Sequence, residues 1–363
     1  MPGIRRRRRG RGFTYEAPDG SPVEDPATLE RIRALAIPPA WQDVWICPAD
    51  NGHLQAVGTD DAGRRQYRYH PAWEARRSRE KFRRMEAFAD ALPRLREHVA
   101  ELLADPSHAP TRERVLALAV RLLDRGYFRV GSEQYVAEHG SYGLLTLRRS
   151  HVALQPPHAI HFDFPAKHGI RMQRQVEDEH AFALVEVLRR RRSGPEALFA
   201  ARDEGRRSWS PIGASDVNDF LREHTGVDCS AKDFRTWHGT VLCAVALASE
   251  AAAVRAEGRE PGRTPTALRR EIAHAVAETA MFLGNTPAVC RSAYVDPRLF
   301  DRYRDGRTIQ PGIERILQLD DVAELDVQLV AEAATRSLLD DRTPRTIAQV
   351  AARTIDRELA AIA

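Results

Sequence analysis

Apolar and polar side chains alternate with a strand's period in two parts of this chain, and most of the rest repeats with the period of a helix. Residues 40–70 read as short strands: VWICP, a turn at Asn51-Gly52, HLQAVGT, a second turn at Asp61-Ala62-Gly63, then RQYRYH. Asn-Gly between alternating apolar residues is a hairpin signal, so a small antiparallel sheet is expected, with a helix before it near Pro26 to Leu35. A second island, residues 151–177, alternates around Lys167-His168-Gly169 and predicts two or three strands with Lys167 at a hairpin tip. From Trp73 to Leu103 the period is helical and the stretch highly charged, with Pro93 as a break and a loop around Asp105 to Pro110; the link between domains is placed here. Further helices are expected at about 112–125, 179–192, 215–224, 231–256, 264–283, 287–294, 323–338 and 344–361. Ser215 and Thr286 read as N-caps, the latter followed by Pro287 at the first helical position.

The fold class is therefore α+β: a small N-terminal antiparallel β domain, then a larger, mainly α-helical domain holding a small β-hairpin sheet. Residues 1–12 are expected to be a flexible basic arm, 13–90 the β-rich domain and 91–363 the helical one. At 363 residues, 43% hydrophobic and 29% charged, the composition is that of a globular protein. No apolar run approaches the roughly 20 residues of a spanning helix, and the basic N-terminus lacks the apolar stretch of a secretory signal, so the expected compartment is the cytoplasm. Cys47, Cys229, Cys243 and Cys290 show no C-x-x-C pair and no histidine at ligand spacing; they are expected to be reduced and half-buried, with no metal implied. A GxxxxGK[ST] loop is absent, which leaves nucleotide hydrolysis without a seat.

The formal charge is only +4, but basic residues cluster at Arg5 to Arg11, 64–70, 76–84, 147–151 and 189–192. Several such patches on one folded chain point to a polyanion, with nucleic acid first among candidates. The run at 189–192 also fits a solvated helix face, and Arg5 to Arg9 a mobile arm adding nonspecific DNA affinity. Of the 55 basic residues only three are lysines: Lys81, Lys167 and Lys232. Lysine gives up a proton far more readily than arginine, and the last two lie in segments that look chemical.

Those segments are FRVGSEQY (128–135), FPAKHG (164–169), KDFRTWHGT (232–240) and GNTPAVCRSAYVDP (284–297). They supply Arg129, Lys167, Lys232, Arg235, Asn285 and Tyr294. Two arginines, a lysine, an amide and a tyrosine suit phosphodiester transesterification: the phenol oxygen attacks phosphorus, guanidinium groups hold the nonbridging oxygens, and an amine protonates the departing oxygen. In order and spacing the segments resemble the catalytic motifs of type IB DNA topoisomerases of the poxvirus and bacterial kind. RQYRYHPAW (65–73) and GLLTLRR (143–149) extend the resemblance over nearly the whole chain.

The resemblance implies that Arg129 and Arg235 clamp the scissile phosphate, that Lys167 is the general acid for the leaving 5′ hydroxyl, and that Tyr294 becomes joined to the 3′ phosphate. Where most members carry a histidine, this chain has Asn285, whose amide can donate the same hydrogen bond but cannot carry charge. Lys232 is expected on the phosphate next to the scissile one, and His238 in a packing or DNA-facing role. Gln66, Tyr67 and Tyr69 match DNA-contacting positions of the small β domain, and Tyr135 is a further candidate phosphate contact. Alternation puts Tyr67 and Tyr69 on one strand face, where aromatic packing is the lesser alternative. His158 and His161 lack carboxylates at metal spacing. The implied activity is relaxation of supercoiled double-stranded DNA by a monomer acting as a clamp, without ATP, metal or other cofactor, in the nucleoid. A tyrosine recombinase would share the catalytic set but have a helical N-terminal domain. A noncatalytic DNA-binding protein would keep the basic patches without the full set.

Overall fold

The computed structural model describes residues 2–107, 109–202, 208–317 and 327–340; the helix expected at 344–361 lies outside them. Two compact units divide the chain between Arg83 and Arg84.

The first unit is an antiparallel sheet of five strands: β1 (Ile4–Arg9), β2 (Gly12–Glu16), β3 (Gln42–Ile46), β4 (Leu54–Thr59) and β5 (Arg65–Tyr69), in the order β2-β1-β3-β4-β5. Helix α1 (Pro26–Ala34) starts at Asp25, whose carboxylate accepts from the Thr28 amide. Ile4, Ile32, Val44, Ile46 and Ala56 form the core. The Asn51-Gly52 hairpin forms as expected, with Trp45 opposite Val57 and Ile46 opposite Ala56. Buried Gln55 holds its turn, donating to the carbonyls of Ala49, Asp50 and Gly52.

The expected arginine arm is instead strand β1, paired with β2 from Arg5 opposite Glu16 to Arg9 opposite Gly12, and with β3 at Ile4 and Arg5. Its inward face needs only Ile4 and Arg6. The latter donates to the carbonyls of Ile37, Pro38 and Trp41 and lies 4.2 Å from the Phe13 ring centroid.

Helix α2 (Pro71–Leu103) runs without interruption through Pro93, the expected break. Proline removes one N–H, but the buried side chains of Leu92 and Leu95 on either side keep the helix packed. Next come α3 (Arg112–Gly126), α4 (Glu133–His139), the sheet β6 (Val152–Gln155), β7 (Ala159–Pro165) and β8 (Arg171–Glu177), then α5 (Glu179–Arg190) and a small pair, β9 (Ala200–Arg202) and β10 (Trp209–Pro211). The helices α6 (Ala214–Thr225), α7 (Ala231–Ala256), α8 (Pro265–Leu283), α9 (Pro287–Ala293), α10 (Arg298–Arg304), α11 (Gln310–Leu317) and α12 (Val327–Leu339) complete the described chain.

Helix α6 is capped by Gly213, whose amide donates to Asp216, rather than by Ser215. Contrary to the expectation of no long apolar run, α7 is apolar and long enough to cross a membrane by length and composition. It is the core helix of the second unit, with Phe234, Trp237, Cys243 and Leu247 buried. All four cysteines are free and buried, not half-buried.

Arginine also serves this unit internally. Arg114 is buried and donates to the carbonyls of Leu102, Leu103, Asp105 and Ala109, closing the C-terminal end of α2 and the loop after it. Within the 189–192 run, Arg191 is buried against the carbonyls of Leu188, Pro195, Ala197 and Leu198, so this run is only partly a solvated face. Deeper still, Arg96 forks onto Asp124 and Glu332 at 2.8–3.0 Å, and His238 Nε2 meets Asp124 Oδ1 at 3.0 Å.

Burial would raise the Asp124 carboxyl, but Arg96 and His238 outweigh it and hold it well below the usual carboxylate range. A depressed carboxyl stabilises the fold above its unfolded value of about 3.9 and loses that contribution as pH falls through the lower folded value. The Asp124→Asn variant should therefore be less stable at pH 7 by about 3–5 kcal/mol, as expected when one partner of a buried pair is lost. Its stability should also fall less steeply below about pH 4. Urea melts across pH read both effects: equal stability at pH 7 would contradict the first, and parallel wild-type and variant curves the second.

Candidate active site

Helix α8 ends at Leu283, and Gly284 turns the chain out with φ of +63°, a left-handed conformation that glycine adopts without strain. The last carbonyls of a helix lack intrahelical partners and carry the negative end of its dipole. Three arginines from three parts of the chain take three successive carbonyls at this end. Arg174 on β8 donates to the Phe282 carbonyl, Arg235 on α7 to that of Leu283 at 2.8 Å, and Arg129, beyond α3, to that of Gly284 at 2.5 Å. Arg129 also donates to Asn285 Oδ1 at 2.6 Å, and Arg235 to the Tyr127 carbonyl at 2.8 Å.

Tyr294 closes α9, its amide bonded to the Cys290 carbonyl at 2.9 Å. Thr286 caps the start of that helix, with Pro287 in the first turn, as expected. The Tyr294 backbone lies against α7 because position 239 is glycine: a Cβ there would sit 2.8 Å from the Tyr294 carbonyl oxygen and 2.9 Å from its Cβ. Its half-buried ring is stacked by Arg235, with the guanidinium carbon 5.1 Å from the centroid. Arg129, Arg235, Asn285 and Tyr294, scattered over 166 positions of sequence, thus meet at one helix end.

Burial pushes the Arg129 guanidinium down to about 10, with the charge of Arg235 adding to the effect. Arg235 is lowered by burial too, while Tyr294 acts in the opposite sense. Desolvated like charges favour an anion between them. Two donors of this group, Arg235 Nε and Asn285 Nδ2, are enclosed without a hydrogen-bond partner.

Lys167 stands exposed on a helical turn between β7 and β8, at the hairpin tip where alternation placed it. Its ammonium lies 5.9 Å from the centroid of Tyr135, a half-exposed residue of α4. Ala166, just before it, lines the same small cavity as Arg129 and Arg235. Ala166 thus borders the arginine cavity, while the Lys167 ammonium itself has the Tyr135 ring as its neighbour. Lys232 is exposed in the first turn of α7.

In the first unit Tyr67 and Tyr69 are exposed and stacked, with centroids 6.1 Å apart, on one face of β5. Gln66 is half-buried and donates to Asp60. His238 is 2% exposed and bound to Asp124, which gives it a packing role rather than a phosphate-facing one.

Two groups of potential metal ligands form among the described residues, from positions too far apart in sequence for spacing to reveal. The Asp124–His238–Glu332 group already has its cation in Arg96, and His98, Glu113 and His224 gather from α2, α3 and α6.

Residues missed by sequence reasoning include Arg174, although its position carries a signal: it shares a face of β8 with Met172 and Val176, where alternation calls for an apolar side chain.

The family described as eukaryotic DNA topoisomerase I, catalytic core, matches residues 70–308, and that described as bacterial DNA topoisomerase IB, N-terminal domain, matches residues 12–60. DNA topoisomerase 1B of Acanthamoeba polyphaga mimivirus is 30% identical over 84% of this chain and 88% of its own length. DNA topoisomerase 1 of Candidozyma auris is 31% identical over 44% of this chain and 20% of its own, and that of Daucus carota 28% over 45% and 19%. The chain spans about a fifth of these two larger proteins and nearly all of the viral one. Matched along both its N-terminal sheet and its helical unit, this chain belongs to the type IB DNA topoisomerase family and is an enzyme of the type I class.

Proposed function

We propose that this enzyme relaxes supercoiled DNA by cutting and rejoining one strand through a 3′-phosphotyrosyl bond at Tyr294, without ATP or metal. The observation that carries this reading is the pair of unpaired donors, Arg235 Nε and Asn285 Nδ2, buried beside a tyrosine under a desolvated arginine pair. Each buried N–H left unpaired costs about 1–3 kcal/mol, which a nonbridging phosphate oxygen would recover.

In the forward step the Tyr294 oxygen bonds to phosphorus and releases its proton to solvent, while the bond from phosphorus to the 5′ oxygen breaks. Arg129 and Arg235 hold the nonbridging oxygens as charge builds, and Asn285 adds a neutral donor. Lys167 gives its proton to the leaving 5′ oxygen, which the hairpin tip lets it reach. One phosphodiester is exchanged for another, so the bond energy is kept and the 5′ hydroxyl can reverse the reaction once the duplex has rotated.

Lys232 and Tyr135 bind neighbouring phosphates in this reading, and Tyr67, Tyr69 and Gln66 add DNA contacts from the first unit. Gln66 does so by exchanging its Asp60 partner. The enzyme works as a monomer, with both units holding the duplex as a clamp.

Purified enzyme should relax positively and negatively supercoiled plasmid in EDTA without ATP. Trapping with denaturant should leave a covalent adduct whose DNA-linked peptide contains Tyr294. A strict requirement for ATP or Mg²⁺, or an adduct on another residue, would overturn the proposal.

A further inference from the structure

The third arginine at the end of α8 has no part in the reaction described above. Arg174 stands opposite Phe162 in the β7–β8 ladder, on the inward face of its strand. Its guanidinium takes the Phe282 carbonyl and lies 4.7 Å from the Phe282 ring centroid. It lines the small cavity shared by Arg129 and Arg235, and also the shallow groove next to it, where Ser150, His151 and Gln173 follow. Burial lowers its pKa, and the charge of Arg235 lowers it further, which sets the two guanidiniums within each other's field.

Three guanidiniums capping three consecutive carbonyls form one electropositive group held by a single helix end, and only two of them are assigned. An arginine already anchored through one Nη keeps further N–H donors for a second acceptor. Held in place, it would meet a phosphate with little ordering cost.

We propose that Arg174 is a third phosphate-binding arginine of this site, contacting the DNA backbone at the scissile phosphate or at the phosphate beside it. This rests on the reading of Arg129, Arg235 and Tyr294 above. Its position on both the arginine cavity and the groove suits a backbone that leaves the cleavage point along the sheet.

The test is single-turnover cleavage of a duplex with one mapped cleavage site, at saturating enzyme. The duplex carries either ordinary phosphates or a neutral methylphosphonate at the scissile position or at either neighbour. On the ordinary duplex Arg174→Gln should slow adduct formation by roughly 10²-fold, the scale expected for removing one preorganised donor, and Arg174→Lys should recover part of the loss.

At the position Arg174 contacts, the methylphosphonate should shrink the Gln penalty to about twofold, because no charge remains for the arginine to balance. Wild-type speed in Arg174→Gln overturns the proposal. So does an equal penalty on every duplex, since a side chain that merely holds the Phe282 carbonyl would be indifferent to phosphate charge. If circular dichroism shows Arg174→Gln unfolded, Arg174→Lys carries the same comparison. An adduct in Tyr294→Phe would instead overturn the parent reading, whatever Arg174 does.

Discussion

Tyr294→Phe should reduce relaxation and adduct formation to background while DNA binding and folding persist. The substitution deletes one oxygen and its contact with Arg235. A phenylalanine ring still fits beneath Arg235, and the backbone bonds of position 294 to Cys290 and Thr240 do not depend on the hydroxyl. The close packing against Gly239 involves the backbone and Cβ, which are also unchanged. Loss of the nucleophile should lower the rate on the order of 10⁶-fold, the scale found when a covalent catalyst's attacking group is removed. Gel assays of plasmid relaxation and of denaturant-trapped adduct measure this. Residual relaxation within a hundredfold of wild type would mean that another group attacks the phosphate.

The parts of the fold legible in the sequence were those decided locally. Asn51-Gly52 allows little but a hairpin between its apolar flanks, and the alternation from Ala159 to Glu177 put Lys167 at a tip because strand period and turn chemistry agree there. One misreading has its cause in partners distant in sequence. Arg5 to Arg9 looks like a solvated arm until β3 supplies the pairing for Ile4 and Arg5 and the Ile37, Pro38 and Trp41 carbonyls engage Arg6.

Arg191 belongs to a run that reads as a solvated helix face, yet it is buried, as Arg114 is, where loop and helix-end carbonyls need donors. Part of the arginine-rich composition therefore serves internal carbonyl capping, which the reading of basic runs as polyanion patches did not distinguish. The same holds at the site. Arg129, Lys167, Arg235 and Tyr294 stood out through the resemblance of their segments to one family. Arg174 lies outside those short motifs, and its place depends on where α8 ends against β8.

Lys167→Ala should slow cleavage of an ordinary duplex by about 10²–10⁴-fold, the range for loss of a positioned general acid. On a duplex whose scissile bond is bridged by 5′ sulfur the loss should be much smaller. A departing alkoxide must be protonated as it leaves, whereas a thiolate, whose conjugate acid titrates near 8.5, leaves without a proton. The side chain is exposed on the hairpin turn and its contact is with the half-exposed Tyr135 ring, so its removal should scarcely affect the fold. Lys167→Arg sharpens the test, because it keeps the charge but holds its proton too tightly to give it up. It should resemble the alanine variant on oxygen and approach wild type on sulfur. Single-turnover rates on the two duplexes decide the matter: equal slowing on both would show that Lys167 binds the phosphate without donating the proton, and the general acid would have to be sought elsewhere in the site.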